Sequence, residues 1–183
     1  AAESLMGGVT AALDMYFWDV EAAEEAATAG LRLAGGPAFL GMTGPEGNTF
    51  DAQLDRADGL WCGAAGPMGH WAHPHSVYTL EPDQLARVAA GARTAGARIH
   101  THAAESSGEV SMVAEAQGLR PVELLDSLGL LGEDVVLAHA VHLTDAELAR
   151  IAGSGTSVAH CPASNLKLAS GVARVPELLA AGV

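Results

Sequence analysis

Basic residues are scarce in this 183-residue sequence, with 9 lysines and arginines against 22 acids and a formal net charge of −13. A chain so acidic offers no footprint for a polyanion, which argues against nucleic acid as a partner. Cysteine is rarer still: Cys62 and Cys161 cannot build a disulfide framework, and a reducing compartment is expected. Aromatic residues make up 4% of the chain, too few for a β-sandwich that depends on aromatic and β-branched strands. No apolar run approaches the ~18 residues of a membrane span, and no basic segment precedes Glu3 as a targeting peptide would require. The expectation is a cytoplasmic protein without a membrane partner.

What is present is apolar and rich in glycine. Hydrophobic residues make up 49% of the chain and mean hydropathy is +0.22, which excludes wholesale disorder and suits one domain over residues 1–183. Strands are expected at 8–14, 31–42, 60–65, 98–102, 135–138 and 157–159. Helices are expected at 20–29, 49–58, 85–95, 108–117, 121–128, 145–152 and 175–181, with Thr79 and Thr144 as N-caps and glycines closing most of them. Continuous rather than alternating apolar strands point to a parallel sheet covered on both faces. No G-x-G-x-x-G opens a helix, so the doubly wound alternative loses its usual support. The fold expected is α/β, a partial (β/α)8 TIM barrel, since a complete one takes eight units and about 250 residues.

All eight histidines, at 70, 73, 75, 100, 102, 139, 142 and 160, lie between residues 70 and 160. His100, His102, His139 and His160 fall at expected strand ends, where a barrel builds its active site, and should converge on one mouth. His102 and Glu105 form an H-x-x-E pair in which the imidazole can bind a divalent metal and the carboxylate can move a proton. Zinc suits such donors, and iron or manganese accept them too. A lone histidine there would more often be an interior residue satisfied by a neighbour. His139 can face the same cavity, His142 can support it from outside, and His75 sits in a loop where it can touch substrate. His70 and His73 read as exposed loop residues, and Cys161 as a structural thiol.

At these residues the sequence resembles the amidohydrolase superfamily, in its branch of cytosolic aminohydrolases that includes thioadenosine-type and guanine deaminases and triazine chlorohydrolases. The stretches that carry the resemblance are GVTAALDMYF from Gly8, PHSVYT from Pro74, IHTHAAE from Ile99, RPVELL from Arg120, LAHAVHLT from Leu137 and VAHCPASNLKL from Val158. Each is modest alone, and the ordered set is highly specific. The resemblance implies a metal-dependent barrel that replaces an exocyclic amine, or less often a halide, on a nitrogen heterocycle by water. It implies His102 as the metal's third histidine ligand and Glu105 as the acid/base that protonates a ring nitrogen. His139 would orient the attacking hydroxide, His75 would bind substrate, and Ser164 and Asn165 would shape the pocket floor.

Three departures accompany the resemblance. The family's H-x-H ligand pair and its metal-binding Asp are absent, so the chain is expected to be an internal piece, from about barrel strand 2 to the start of strand 8, inactive by itself. Gly35, Gly36 and Pro37 stand where thioadenosine deaminases carry an Arg. Open strand edges predict self-association into homo-oligomers. Rival readings are a non-catalytic truncated barrel that binds a small molecule, a dechlorinating triazine-type hydrolase, and a metal-buffering protein that uses its histidines.

Overall fold

A computed structural model describes residues 2–45, 47–63 and 68–183. The elements are α1 (Ala2–Met6), β1 (Ala11–Leu13), α2 (Asp19–Thr28), β2 (Arg32–Ala34), β3 (Ala38–Phe39), α3 (Phe50–Trp61), β4 (Trp71–Pro74) and α4 (Pro82–Thr94). They continue as β5 (Arg98–Ala103), α5 (Ser107–Gln117), α6 (Pro121–Ser127), β6 (Val135–His139), α7 (Asp145–Ser154), β7 (Ser157–Ala159), α8 (Pro162–Lys167) and α9 (Val175–Ala180). Every strand pairing is parallel: β1 pairs with β2, and a second sheet runs β3-β4-β5-β6-β7 in chain order. This is the α/β fold with parallel sheets that the apolar strands predict, and the sheets are not closed. No helix among the described residues is long and apolar enough to cross a membrane.

Three local expectations are corrected. The strand expected at 31–42 is two short strands separated by Gly35, Gly36 and Pro37, so one extended stretch pairs first with β1 and then with β4. Gly36 passes so close to β4 that a Cβ there would collide with the Trp71 carbonyl oxygen. The strand expected at 60–65 does not form at its start: Leu60 and Trp61 end α3, and residues 64–67 lie outside the described residues. Phe50, Ala57 and Trp61 are spaced as a helical stripe and are buried as one, which outweighs the local strand-like run. The strand of this unit is instead β4, wholly buried, in a stretch that reads as loop from its flanking glycines and proline. The third correction concerns α4, which begins at Pro82 with Glu81 as N-cap. The Thr79 hydroxyl is taken by Ser76, at 2.9 Å.

Alternation along β5 sorts its residues onto two faces. Ile99, Thr101 and Ala103 share one face, and Ile99 and Ala103 join the main core with Val135 and Leu137 of β6. That core also takes Leu85 and Val88 of α4, Val110 and Val113 of α5, Leu125 of α6, and Leu148 and Ile151 of α7. His100 and His102 occupy the opposite face of β5. The helices thus cover one side of the sheet and leave its histidine-bearing side to the site. Ser106 Oγ accepts from Glu109 N at 3.1 Å, and Thr144 Oγ1 accepts from Glu147 N at 3.2 Å, so both helices that follow the site strands start on side-chain caps.

Candidate active site

The carboxyl ends of β4, β5 and β6 bring histidines together in a string. Ring centroids of His73 and His100 are 5.3 Å apart, those of His100 and His102 6.0 Å, those of His75 and His102 4.8 Å, and those of His102 and His139 5.3 Å. Register explains the arrangement: His102 is level with Ala138 and Ala103 with His139, so the β6 histidine stands one residue further towards the strand ends. Of the four strand-end histidines expected to converge, His160 does not join them, because β7 stops at Ala159 and His160 is exposed on the turn into α8.

His102 has its ring orientation set by the backbone. Its Nδ1 lies 2.8 Å from the carbonyl oxygen of His75. A carbonyl can only accept, so Nδ1 carries the proton and Nε2 presents a lone pair, the state of a metal-ligating imidazole. Burial holds the His102 pKa below its usual value against the opposing pull of that hydrogen bond, and the neighbouring His139 charge adds to the lowering. Burial pushes His75 down to about 4, with the charge of His102 assisting. At neutral pH both rings are therefore neutral donors of a lone pair, as metal binding needs. Among the described residues no group of three or more His, Cys, Asp or Glu side chains is arranged to hold an ion.

Glu105 is presented at the end of β5 by a clamp absent from the sequence reading. Glu109, 5% exposed, accepts from Ala104 N at 2.9 Å and from Glu105 N at 2.7 Å with its two carboxylate oxygens. Ala104 is thereby held at φ 52, a left-handed conformation unfavourable to alanine, which turns the chain so that Glu105 leaves the sheet. Burial raises the Glu109 pKa against the lowering by these backbone hydrogen bonds. Its spacing four residues after Glu105 was visible in the sequence, but nothing in composition distinguishes it from the acid of an ordinary first helical turn.

His139 and Ala140 also adopt positive φ, 74 and 46, where β6 ends. Nε2 of His139 is 3.6 Å from Glu105 Oε2, and Nδ1 is 2.7 Å from Asn165 Oδ1. The Ser164 side chain is exposed on α8, and its backbone carbonyl accepts from Leu168 N at 2.9 Å. His142 points away, its Nε2 donating to the Ser170 carbonyl at 2.6 Å. The β6–α7 turn is secured by a buried ion pair: Arg120 Nε contacts Glu147 Oε2 at 2.9 Å, and Arg120 Nη2 donates to the His142 carbonyl at 2.6 Å.

His73 corrects another expectation. It is not an exposed loop residue but wholly buried in β4, with Nδ1 3.2 Å from Nδ1 of His100 and with Nε2 lacking a partner. Burial, then the charges of His100 and His102, push its pKa down to about 3. His100, 7% exposed, is held at about 4 by burial and by His102 and His139. Prolines and glycines around 66–74 disguised this stretch as loop, which is why the pair was missed.

The family model described as amidohydrolase matches residues 1–183. A 5-methylthioadenosine/S-adenosylhomocysteine deaminase of Natronomonas pharaonis is 43% identical over 187 residues, covering 99% of this chain and 43% of that protein. The solved adenosine deaminase of Xanthomonas campestris with bound zinc superposes at a TM-score of 0.92 with 31% identity, covering 100% of this chain and 42% of its own. An atrazine chlorohydrolase of Arthrobacter aurescens complexed with zinc matches at 0.84 with 27% identity, over 99% of this chain and 45% of its own. The chain spans less than half the length of these proteins.

Proposed function

The chain belongs to the amidohydrolase family, and from that membership we propose that it carries part of the active site of a metal-dependent aminohydrolase, which replaces the exocyclic amine of a purine nucleoside or related nitrogen heterocycle by water. Residues 1–183 form one domain in this reading. They supply a partial (β/α)8 barrel, with β2 and β3 as one interrupted strand. The observation that carries the proposal is the cluster of Glu105, His139 and His102, an acid/base carboxylate 3.6 Å from an imidazole and a second imidazole whose Nε2 is free for a metal.

His102 would hold a divalent ion through Nε2, zinc by its affinity for imidazole and by its presence in the two solved relatives, and that ion would supply Lewis-acid activation of water. Further ligands come from outside this chain, in keeping with the 43% of a relative that it spans. Glu105 delivers a proton to a ring nitrogen of the heterocycle and recovers one from the attacking water. His139 orients that water and the departing ammonia, His75 contacts the substrate at the mouth, and Ser164 and Asn165 shape the pocket floor. The two free cysteines, Cys62 and Cys161, suit a cytoplasmic setting.

The test is ammonia release from 5-methylthioadenosine, S-adenosylhomocysteine and adenosine by the full-length protein. Glu105→Gln should lower turnover by about 10²–10⁴ with metal content unchanged, and normal turnover in that variant would overturn the assignment. The likeness to the chlorohydrolase favours a second reading, dechlorination of a triazine, for which chloride release from atrazine is the discriminating assay.

A further inference from the structure

We infer that Asn165 is a positioning residue that keeps the proton of neutral His139 on Nδ1 and so presents an unprotonated Nε2 to Glu105. The inference rests on the reading of Glu105 and His139 as the reacting pair. Asn165 is 1% exposed, and its Oδ1 lies 2.7 Å from His139 Nδ1. An amide oxygen only accepts, so the shared proton belongs to the imidazole. In a neutral ring this leaves Nε2 without a proton, on the edge 3.6 Å from Glu105 Oε2. A free neutral imidazole prefers the opposite tautomer, with the proton on Nε2, and that form would turn an N–H towards Glu105.

The side chain is held there by a closed circuit. The Asn165 carbonyl accepts from Ser170 N at 2.8 Å, and the Ser170 carbonyl accepts from His142 Nε2 at 2.6 Å. Residues 139–142 and 165–170 are thus tied at both ends, once through His139 and once through His142. Gly171 completes the fit at φ 114, where an added Cβ would lie 3.2 Å from Val141 Cγ1. Asn165 Nδ2 is buried without a partner, so His139 is the only hydrogen-bond partner of this amide among the described residues. Buried amides are normally satisfied at both ends, and retention of one with an open donor is explained by what its oxygen does for His139.

The consequence for the reaction is a stated atom for orienting the attacking water. Nε2 can accept a hydrogen bond from the attacking water and so orient it towards Glu105, which takes its proton, while Nδ1 keeps its own proton against Asn165. An Asp at 165 preserves the acceptor, and a Leu of similar volume removes it.

The experiment uses the full chain labelled with 15N at histidine. Two-bond 1H–15N correlations read which ring nitrogen carries the proton, with His139 assigned by its loss in His139→Gln. Wild type and Asn165→Asp should show His139 protonated on Nδ1, and Asn165→Leu should show the proton moved to Nε2. A proton on Nε2 in the wild-type protein overturns the inference before any variant is made. An unchanged Nδ1–H form in Asn165→Leu overturns it as well. Turnover supplies the second readout: kcat in Asn165→Leu should fall by about 10²-fold or more with KM little changed, and Asn165→Asp should recover most of it. Equal kcat in wild type and Asn165→Leu also overturns the inference. If wild type turns over no purine nucleoside, the proposed activity fails, and the tautomer measurement still decides the role of Asn165.

Discussion

Arg120→Ala should destabilise the protein by about 3 kcal/mol, and the figure follows from what it strands. Glu147 is wholly buried, and Oε2 of its carboxylate accepts from Arg120 Nε at 2.9 Å, Thr144 N at 2.9 Å and Thr144 Oγ1 at 3.0 Å. Its other oxygen, Oε1, has no partner, so Arg120 supplies the only cation paired with this charge among the described residues. Breaking a buried ion pair from one side costs about 3–5 kcal/mol, because the remaining charge stays desolvated. The Arg120 side chain is 30% exposed and partly screened by water, which favours the lower end. The variant also leaves the His142 carbonyl without its 2.6 Å donor, loosening the turn that carries His139. At roughly 2–4 °C per kcal/mol for a domain of this size, Tm should fall by about 6–12 °C. Urea denaturation and calorimetry measure both quantities. The double variant Arg120→Met with Glu147→Gln removes both charges while the Gln side-chain carbonyl can still accept from Thr144 N, and it should be more stable than Arg120→Ala. A single variant that costs less than about 1 kcal/mol, together with a double variant no better than it, would refute the reasoning.

Three further outcomes are expected. His73, wholly buried with its pKa pushed to about 3, stays neutral in the folded protein while the unfolded chain takes up a proton below its ordinary value of 6.5. Stability should therefore rise with pH between about 3 and 6.5, with a contribution of about 1.4 kcal/mol per pH unit from this group, and urea midpoints across that range should flatten in His73→Leu. Glu109→Gln sets an amide N–H2 against one of the two backbone N–H groups that its carboxylate now receives, and should cost about 1.5–3 kcal/mol in urea denaturation; a change under 0.5 kcal/mol would show that the turn at Ala104 holds itself. Thr144→Ala removes the cap on Glu147 N and should lower stability by about 1 kcal/mol, measurable as a shift in urea midpoint at constant slope.

Much of this molecule was written locally. The strands expected at 98–102 and 135–138 became β5 and β6 within a residue, and the second is the continuous apolar run that a strand buried on both faces allows. Thr144 and Gly118 marked a helix start and a helix end through their own backbone chemistry. The H-x-x-E spacing put His102 and Glu105 at one strand end for the same reason, since three residues suffice to pass from strand to turn. Where the local signal misled, a packing partner was responsible. Trp61 joined a helical stripe instead of starting a strand, and Trp71 to Pro74 became a strand because β3 and β5 flank it and bury it.

The sequence by itself determined the residue types of the site, the order of the units and the parallel α/β class, because each depends on spacing along the chain. Only the tertiary structure decided which nitrogen of each imidazole is free. His102 turns Nε2 outward because the carbonyl of His75, just past the end of β4, accepts the hydrogen bond of its Nδ1–H. His139 faces Glu105 because Asn165, 26 residues further on, occupies its other side. It likewise decided that His73 and His100 are buried against each other and that Glu109 holds the turn under Glu105. A hydrogen bond is set by distance and direction between atoms that the chain brings together only after its strands have found their register, and no spacing rule encodes that meeting.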